Sequence, residues 1–242
     1  MKRVIALSFL LVLLAAGHAL GETVVTSKVL SNYLFEAGNL WHKTSVVQTD
    51  MKTSLSRGFY FYLWHSVGLN DKNLNSDFGD ELDYTLGWEG SIKNYSFGTG
   101  LIYMDYYKIR AQPRGDILQL YFEIKRKFQI AKKFSLTPFC RVERISAAKG
   151  TSPKRQSHTH LGTENFLEHK KLAITQRIEF LLDRGAYGFQ KSVIGKHQLA
   201  LSYKLLGNLN LDPSLISSVP FGSLRDGRGK ETQYGIGLSL KI

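Results

Sequence analysis

The residues that could do chemistry are few, and the histidines come first. His158 and His160 flank Thr159, and His169 follows nearby. Grouped imidazoles of this kind hold zinc-type ions when carboxylates or thiolates complete a tetrahedral set. No carboxylate stands at a fixed spacing from them, and the stretch from Ala147 to Lys170 reads as a long external loop, so these side chains are expected to be solvated. Ser66 follows His65, but adjacent residues of a strand point to opposite faces, whereas a nucleophile needs a base and an orienting group converging on it. The acidic stretch Asp71, Asp77, Asp80 and Glu81 could offer oxygens to a divalent cation. It lacks the regular ligand register of a calcium loop, and solvated charge is the expectation. The sequence therefore predicts no catalytic residue, no metal site and no cofactor.

A second set of residues points to transport. Asp50, Lys52, Asp83, Glu89, Glu123, Lys125, Arg141, Glu143, Arg177, Glu179 and Lys204 all fall on the polar side of segments that alternate apolar with polar residues. A charge facing hydrocarbon at mid-bilayer costs roughly 2–4 kcal/mol, so in a membrane barrel these residues would have to face the lumen. Both signs are present. They would either line a water-filled, weakly selective pore or pair across a narrow barrel and plug it.

Alternation itself is the main structural signal. At the C-terminus Tyr234, Ile236, Leu238, Leu240 and Ile242 interleave with Gln233, Gly235, Gly237, Ser239 and Lys241. Leu172, Ile174, Ile178, Phe180 and Leu182 form a similar face, as do Leu199, Leu201, Tyr203 and Leu205, then Leu118, Leu120, Phe122 and Ile124, and upstream Leu82, Tyr84, Leu86, Trp88 and Ile92. With Val25 to Phe35, Thr44 to Leu55, Phe59 to Leu69, Tyr95 to Tyr107 and Phe134 to Ser146, the count is about ten strands. Connections alternate between short, such as Ser56-Arg57 and Lys93-Asn94, and long, such as Glu36 to Lys43, Asn70 to Gly79, Lys108 to Gly115 and Gly207 to Lys230. Outer-membrane barrels have this grammar, with short periplasmic turns and longer external loops. Asp183 to Lys196 is long where a short turn is due, so it could conceal two more strands, with a further pair in Gly207 to Lys230. The fold class is an all-β, antiparallel, up-and-down transmembrane barrel of ten to twelve strands. Tyr33, Trp41, Trp64, Trp88, Tyr103, Tyr106 and Tyr107 lie near predicted strand ends, where amphipathic rings settle at the bilayer interface.

Export and composition agree with that class. Lys2 and Arg3, the apolar run Val4 to Ala16, and Ala19 and Gly21 make residues 1–21 a secretory signal peptide, leaving 22–242 as a single barrel domain. Cys140 is the only cysteine, which excludes an internal disulfide. The chain carries 32 basic and 20 acidic residues. Its basic residues are not concentrated with aromatics on one segment, and export argues against nucleic acid. Anionic lipopolysaccharide or an acidic solute is the more natural counterpart, and solvated loop charge is the plain alternative. Lys149, Lys154 and Arg155 in one predicted loop, and Arg225, Arg228 and Lys230 in the last, would contact lipopolysaccharide phosphates or draw anionic solutes to the mouth.

Phe35-Glu36-Ala37-Gly38-Asn39-Leu40, then Val47-Gln48-Thr49-Asp50, Gly58-Phe59-Tyr60 and the run from Phe78 to Trp88 together resemble the TorF-type porin family. Leu40-Trp41-His42-Lys43 stands where that family carries an aromatic-arginine-glycine signature. The resemblance implies an exported β-barrel. The expected function is a narrow, passive, porin-like channel for small solutes in the bacterial outer membrane, monomeric and without cofactor. Its C-terminal strand would be read by the barrel-assembly machinery. The rivals are a closed structural or adhesive barrel acting through its external loops, a lipid-modifying barrel enzyme, and a soluble β-barrel that binds an apolar ligand.

Overall fold

A computed structural model of the chain describes residues 21–69, 80–106, 116–148, 156–186, 189–222, 224 and 228–242. Apart from Gly21, the predicted signal peptide lies outside the described residues, as do Asp71, Asp77, Tyr107, Lys149, Lys154, Arg155 and Arg225.

Twelve spans form one closed antiparallel barrel. They are β1 (Thr23–Leu30), β2 (Val46–Ser54), β3 (Phe59–Gly68), β4 (Glu81–Ile92), β5 (Tyr95–Asp105), β6 (Ile117–Arg126, extended by Phe128–Ala131), β7 (Phe134–Ala147), β8 (Gln156–His169), β9 (Leu172–Asp183), β10 (Ser192–Leu206), β11 (Ser214–Phe221, preceded by Leu209–Leu211) and β12 (Glu231–Lys241). Each pairs with its neighbour in sequence, and β12 closes on β1 from Val24 opposite Lys241 to Leu30 opposite Gly235. The short turns at one end are built on left-handed residues, Lys93 (φ 56°), Lys170 (φ 54°) and Gly207 (φ 54°), the conformation that matches the twist of a tight hairpin.

Ala147 to Lys170, expected as a loop, contains β8, whereas Gly207 to Lys230, where a further pair of strands could be concealed, does contain the two segments of β11, Leu209–Leu211 and Ser214–Phe221. The outward face of β8 carries Leu161 and Leu167 but also Thr159, Thr163 and Asn165, which dilutes its alternation. β11 is interrupted at Asp212-Pro213, where Asp212 exchanges backbone hydrogen bonds with Gly237 instead. With β8 restored, the connection after Asp183 falls at the long-loop end, and the anomaly there disappears without a concealed pair of strands among its described residues.

The two faces of the sheet meet different surroundings. Leu120, Phe122, Phe180, Tyr234, Ile236 and Leu238 are outward and 45–65% exposed, while Gln119, Tyr121 and Leu181, one residue away, are buried inside. This is the apolar belt of a barrel made to sit in lipid. A polar group interrupts it: Asn165 Nδ2 donates to Gln176 Oε1 at 3.1 Å, and Gln176 Nε2 lies 3.0 Å from His197 Nε2, so the three side chains form a short chain of contacts.

The loop end of the lumen is filled. Between β1 and β2 a small hairpin, Tyr33–Leu34 paired with Leu40–His42, folds inward. Tyr33, Phe35, Ala37, Leu30 and Val46 form a buried cluster against Trp64 and Phe189. A second cluster joins Met104, Tyr106, Ile117, Ile145 and Ala186. Tyr33, Trp64 and Tyr106 are therefore interior packing groups and do not belong to an interfacial belt. Trp88 stays at the turn end, its Nε1 donating to the Arg57 carbonyl at 3.1 Å.

Candidate functional site

The attachments of the inserted hairpin to the barrel wall define the site. Tyr33 donates its hydroxyl to Glu81 Oε2 at 2.5 Å. Arg228 reaches in from the last loop, donating to the Ala37 carbonyl at 3.2 Å, to Asp183 Oδ2 at 2.6 Å and to the Gln190 carbonyl. Gly38 sits at φ 83°, and a Cβ there would meet Ser218 Oγ at 2.8 Å and Ile194 Cγ2 at 3.1 Å, so only glycine allows this approach to the wall. Glu81 was expected as a solvated loop charge, and Arg228 as an external-loop cation for lipopolysaccharide phosphates or anionic solutes. Both are buried: Glu81 opens strand β4 with its side chain in the lumen, and Arg228 reaches Asp183. Lys230 does stay exposed, and Asp80 accepts a hydrogen bond from the Gly68 backbone at 3.4 Å.

Eight of the eleven charged residues singled out from the alternation form local pairs. Near the turn end Lys52 Nζ meets Glu89 Oε1 at 2.7 Å and lies over the Tyr60 ring, and Tyr60 shares a short hydrogen bond with Tyr121. Glu123 and Lys125 pair at 2.9 Å along one face of β6. Higher up, Arg141 Nε binds Glu143 Oε1 at 2.5 Å, and Arg177 Nη2 binds Glu179 Oε2 at 2.6 Å. Each of these pairs joins residues two apart on one strand face or on nearby strands. Asp50 lies opposite Thr26 and Trp64, Asp83 lies beside Glu81, and Lys204 is an exposed residue at the turn end of β10. A cavity of about 240 Å³ opens among Phe35, Glu36, Arg141, Glu143, His160, Arg177, Glu179 and Lys196.

At the top of this cavity stands the group that sequence reading missed. His158 and His160 are on β8, not on a loop, and they are 0% and 5% exposed. A spacing of two puts both on the inner face. His160 Nδ1 contacts Glu179 Oε1 at 2.8 Å, while its Nε2 lies 3.1 Å from Glu143 Oε2. His158 Nε2 lies 3.3 Å from Asp183 Oδ1, and its Nδ1 is 3.5 Å from Glu143 Oε2 and 3.4 Å from Glu36 Oε1. Asp183 is fixed by the backbone N–H groups of Gly185 and Ala186 at 2.8 and 2.9 Å. Burial and the neighbouring Glu143 push the Glu36 carboxyl up, but the hydrogen bond from His158 and the charges of His158 and His160 outweigh them and hold it below its ordinary value. The His-x-His spacing was the signal for this cluster, and it is readable only once β8 is recognised as a strand. Ser66 is buried beside Gln48, which donates to it at 3.4 Å. His65, its neighbour, faces the other way, so the two form no catalytic pair.

No protein-family model and no curated protein matches the chain. Solved structures do. A NanC porin is similar at a TM-score of 0.60 with 10% identity, over 91% of this chain and 100% of that one. A bacterial polysaccharide outer membrane secretin aligns at 0.49 with 6% identity, over 93% and 98% of the two chains. The transport unit of the autotransporter AIDA-I from Escherichia coli aligns at 0.46 with 10% identity, over 90% and 89%. At such identity the first likeness speaks for the fold. The class that fold defines is the transmembrane antiparallel β-barrel of the outer-membrane type.

Proposed function

We propose that this chain is a narrow, passive channel of the bacterial outer membrane through which small solutes diffuse, with no chemistry performed and no cofactor required. The observation that carries this reading is the inward hairpin, which leaves a cavity of about 240 Å³ between its Phe35-Glu36 turn and a wall of Arg141, Arg177 and Lys196. A constriction lined by fixed charges is how such barrels select small polar solutes. Twelve strands lie between the roughly eight whose side chains fill the interior and the sixteen or so that leave a wide aqueous channel. The lumenal charges Asp50, Lys52, Asp83, Glu89, Glu123, Lys125, Arg141, Glu143, Arg177, Glu179 and Lys204 would line the path, eight of them as local pairs, giving weak selectivity. A monomer contacting lipopolysaccharide at its loop end, delivered by an N-terminal export signal and assembled through its C-terminal strand, fits this reading. So does kinship with TorF-type porins.

The second reading is a closed barrel. Arg228 and Tyr33 fasten the hairpin at both sides, which favours a plug. Reconstitution in a planar bilayer separates the two. Discrete single-channel steps are expected, and their ion selectivity should shift when Arg141 or Arg177 is neutralised. Silence from a folded, inserted barrel would establish the plug and move attention to the external loops.

A further inference from the structure

The most concentrated chemistry in the molecule is not needed for passive diffusion. We propose that Glu36, Glu143, His158 and His160 form a binding site for a divalent transition-metal ion of the zinc class, which clamps the inserted hairpin to the barrel wall. A tetrahedral ion with bonds of about 2.0–2.1 Å places its donor atoms about 3.4 Å apart. The donor separations converging here are 3.1 Å (His160 Nε2 to Glu143 Oε2), 3.5 Å (His158 Nδ1 to Glu143 Oε2) and 3.4 Å (His158 Nδ1 to Glu36 Oε1). Glu143, His158 and His160 each aim one ligand atom into a space no wider than 4.8 Å.

The surroundings match those of a metal site as well. A metal-bound histidine almost always gives its other ring nitrogen to a carboxylate, which fixes the tautomer and raises ligand basicity. Both histidines do so: the outward nitrogen of His160 is on Glu179 and that of His158 on Asp183. The remaining oxygen of Glu143 is held by Arg141 at 2.5 Å, leaving Oε2 for the ion. Charge is compatible too. The four carboxylates of Glu36, Glu143, Glu179 and Asp183 are offset by the four cations Arg141, Arg177, Lys196 and Arg228, so the cluster carries two positive charges when both imidazoles are protonated. A dication on neutral imidazoles carries the charge of two imidazolium protons, and one ion can replace those two protons without a new net charge. Two imidazoles with two carboxylates suit zinc and its neighbours rather than calcium or magnesium, which take oxygen ligands.

Glu36 comes from the inserted segment and the other three ligands from β7 and β8, so the ion would join loop to wall. The site does not depend on whether the barrel conducts, and its test does not read current. The full-length barrel, refolded in detergent and stripped with a chelator, is dialysed against zinc, and bound metal is counted by elemental analysis. Cobalt(II) is used in parallel for its tetrahedral absorption spectrum. About one ion per folded barrel is expected, with loss of that ion in His160→Gln and in Glu36→Gln. Glu179→Gln should weaken binding about 10–100-fold, as outer-shell changes do. Glu36 is off the barrel strands, so Glu36→Gln keeps the fold, which heat-modifiable migration on a gel verifies. A folded wild-type barrel that retains no zinc, or one that retains it equally after Glu36→Gln and His160→Gln, would overturn the site.

Discussion

Two ion pairs of nearly equal length show how much surroundings decide at the residue scale. Lys52 and Glu89 meet at 2.7 Å with side chains 37% and 56% exposed. Arg228 and Asp183 meet at 2.6 Å with both side chains fully buried. Water screens the first pair, and such pairs contribute about 0–1 kcal/mol. Removing one partner of the second leaves an uncompensated buried charge, at a cost of about 3–5 kcal/mol. Arg228 also holds the Ala37 carbonyl, so its loss frees one side of the hairpin. Urea unfolding of vesicle-inserted barrels should therefore separate Arg228→Ala, strongly destabilised, from Lys52→Ala, within about 1 kcal/mol of wild type. Equal losses would mean that Arg228 is not buried against Asp183.

At the scale of elements, the hairpin between β1 and β2 matters most, because it is neither a strand of the barrel nor a solvated loop. Its apolar residues Tyr33, Phe35 and Ala37 are buried only because the lumen receives them. Gly38 permits that docking, with its left-handed backbone and no room for a Cβ beside Ser218 and Ile194. Gly38→Val should push the hairpin out while leaving the twelve spans paired. In planar bilayers the expected outcome is a larger single-channel current than wild type with unchanged heat-modifiable migration. An unchanged current would show that the hairpin does not set the constriction. The same element carries Glu36, so this variant should also hold zinc less well.

For the whole molecule, closure is the decisive property, since a twelve-stranded sheet with free edges cannot satisfy its backbone in lipid. Closure rests on β1 against β12, and there Gly235 lies so close to Leu30 that an added Cβ would collide with it and meet the Val29 carbonyl at 2.6 Å. Gly235→Val is expected to lose the faster migration of the unheated barrel on a gel, whereas Ser239→Val on the same strand should keep it. Retained migration in Gly235→Val would show that the seam tolerates separation. The outward residues of β12 from Tyr234 to Leu240 then complete the apolar belt that only a closed barrel makes continuous.

The amino-acid sequence by itself determined the class of this protein. Period-two alternation depends only on neighbouring residues, and in β9, β10 and β12 it was strong enough to mark strands, their inner and outer faces and the charged side of each. It failed for β8, where outward polar residues weaken the local pattern, and it marked β11 only as strands that Gly207 to Lys230 could conceal, because Asp212-Pro213 interrupts the alternation; pairing with flanking strands restores both. What the tertiary structure alone decided is the content of the lumen. That His158 and His160 are buried against Glu143, that Glu36 meets them from another segment, and that Arg228 spans to Asp183 and Ala37 all depend on contacts between residues far apart in sequence. No local spacing encodes those contacts, because the barrel must close before its interior exists.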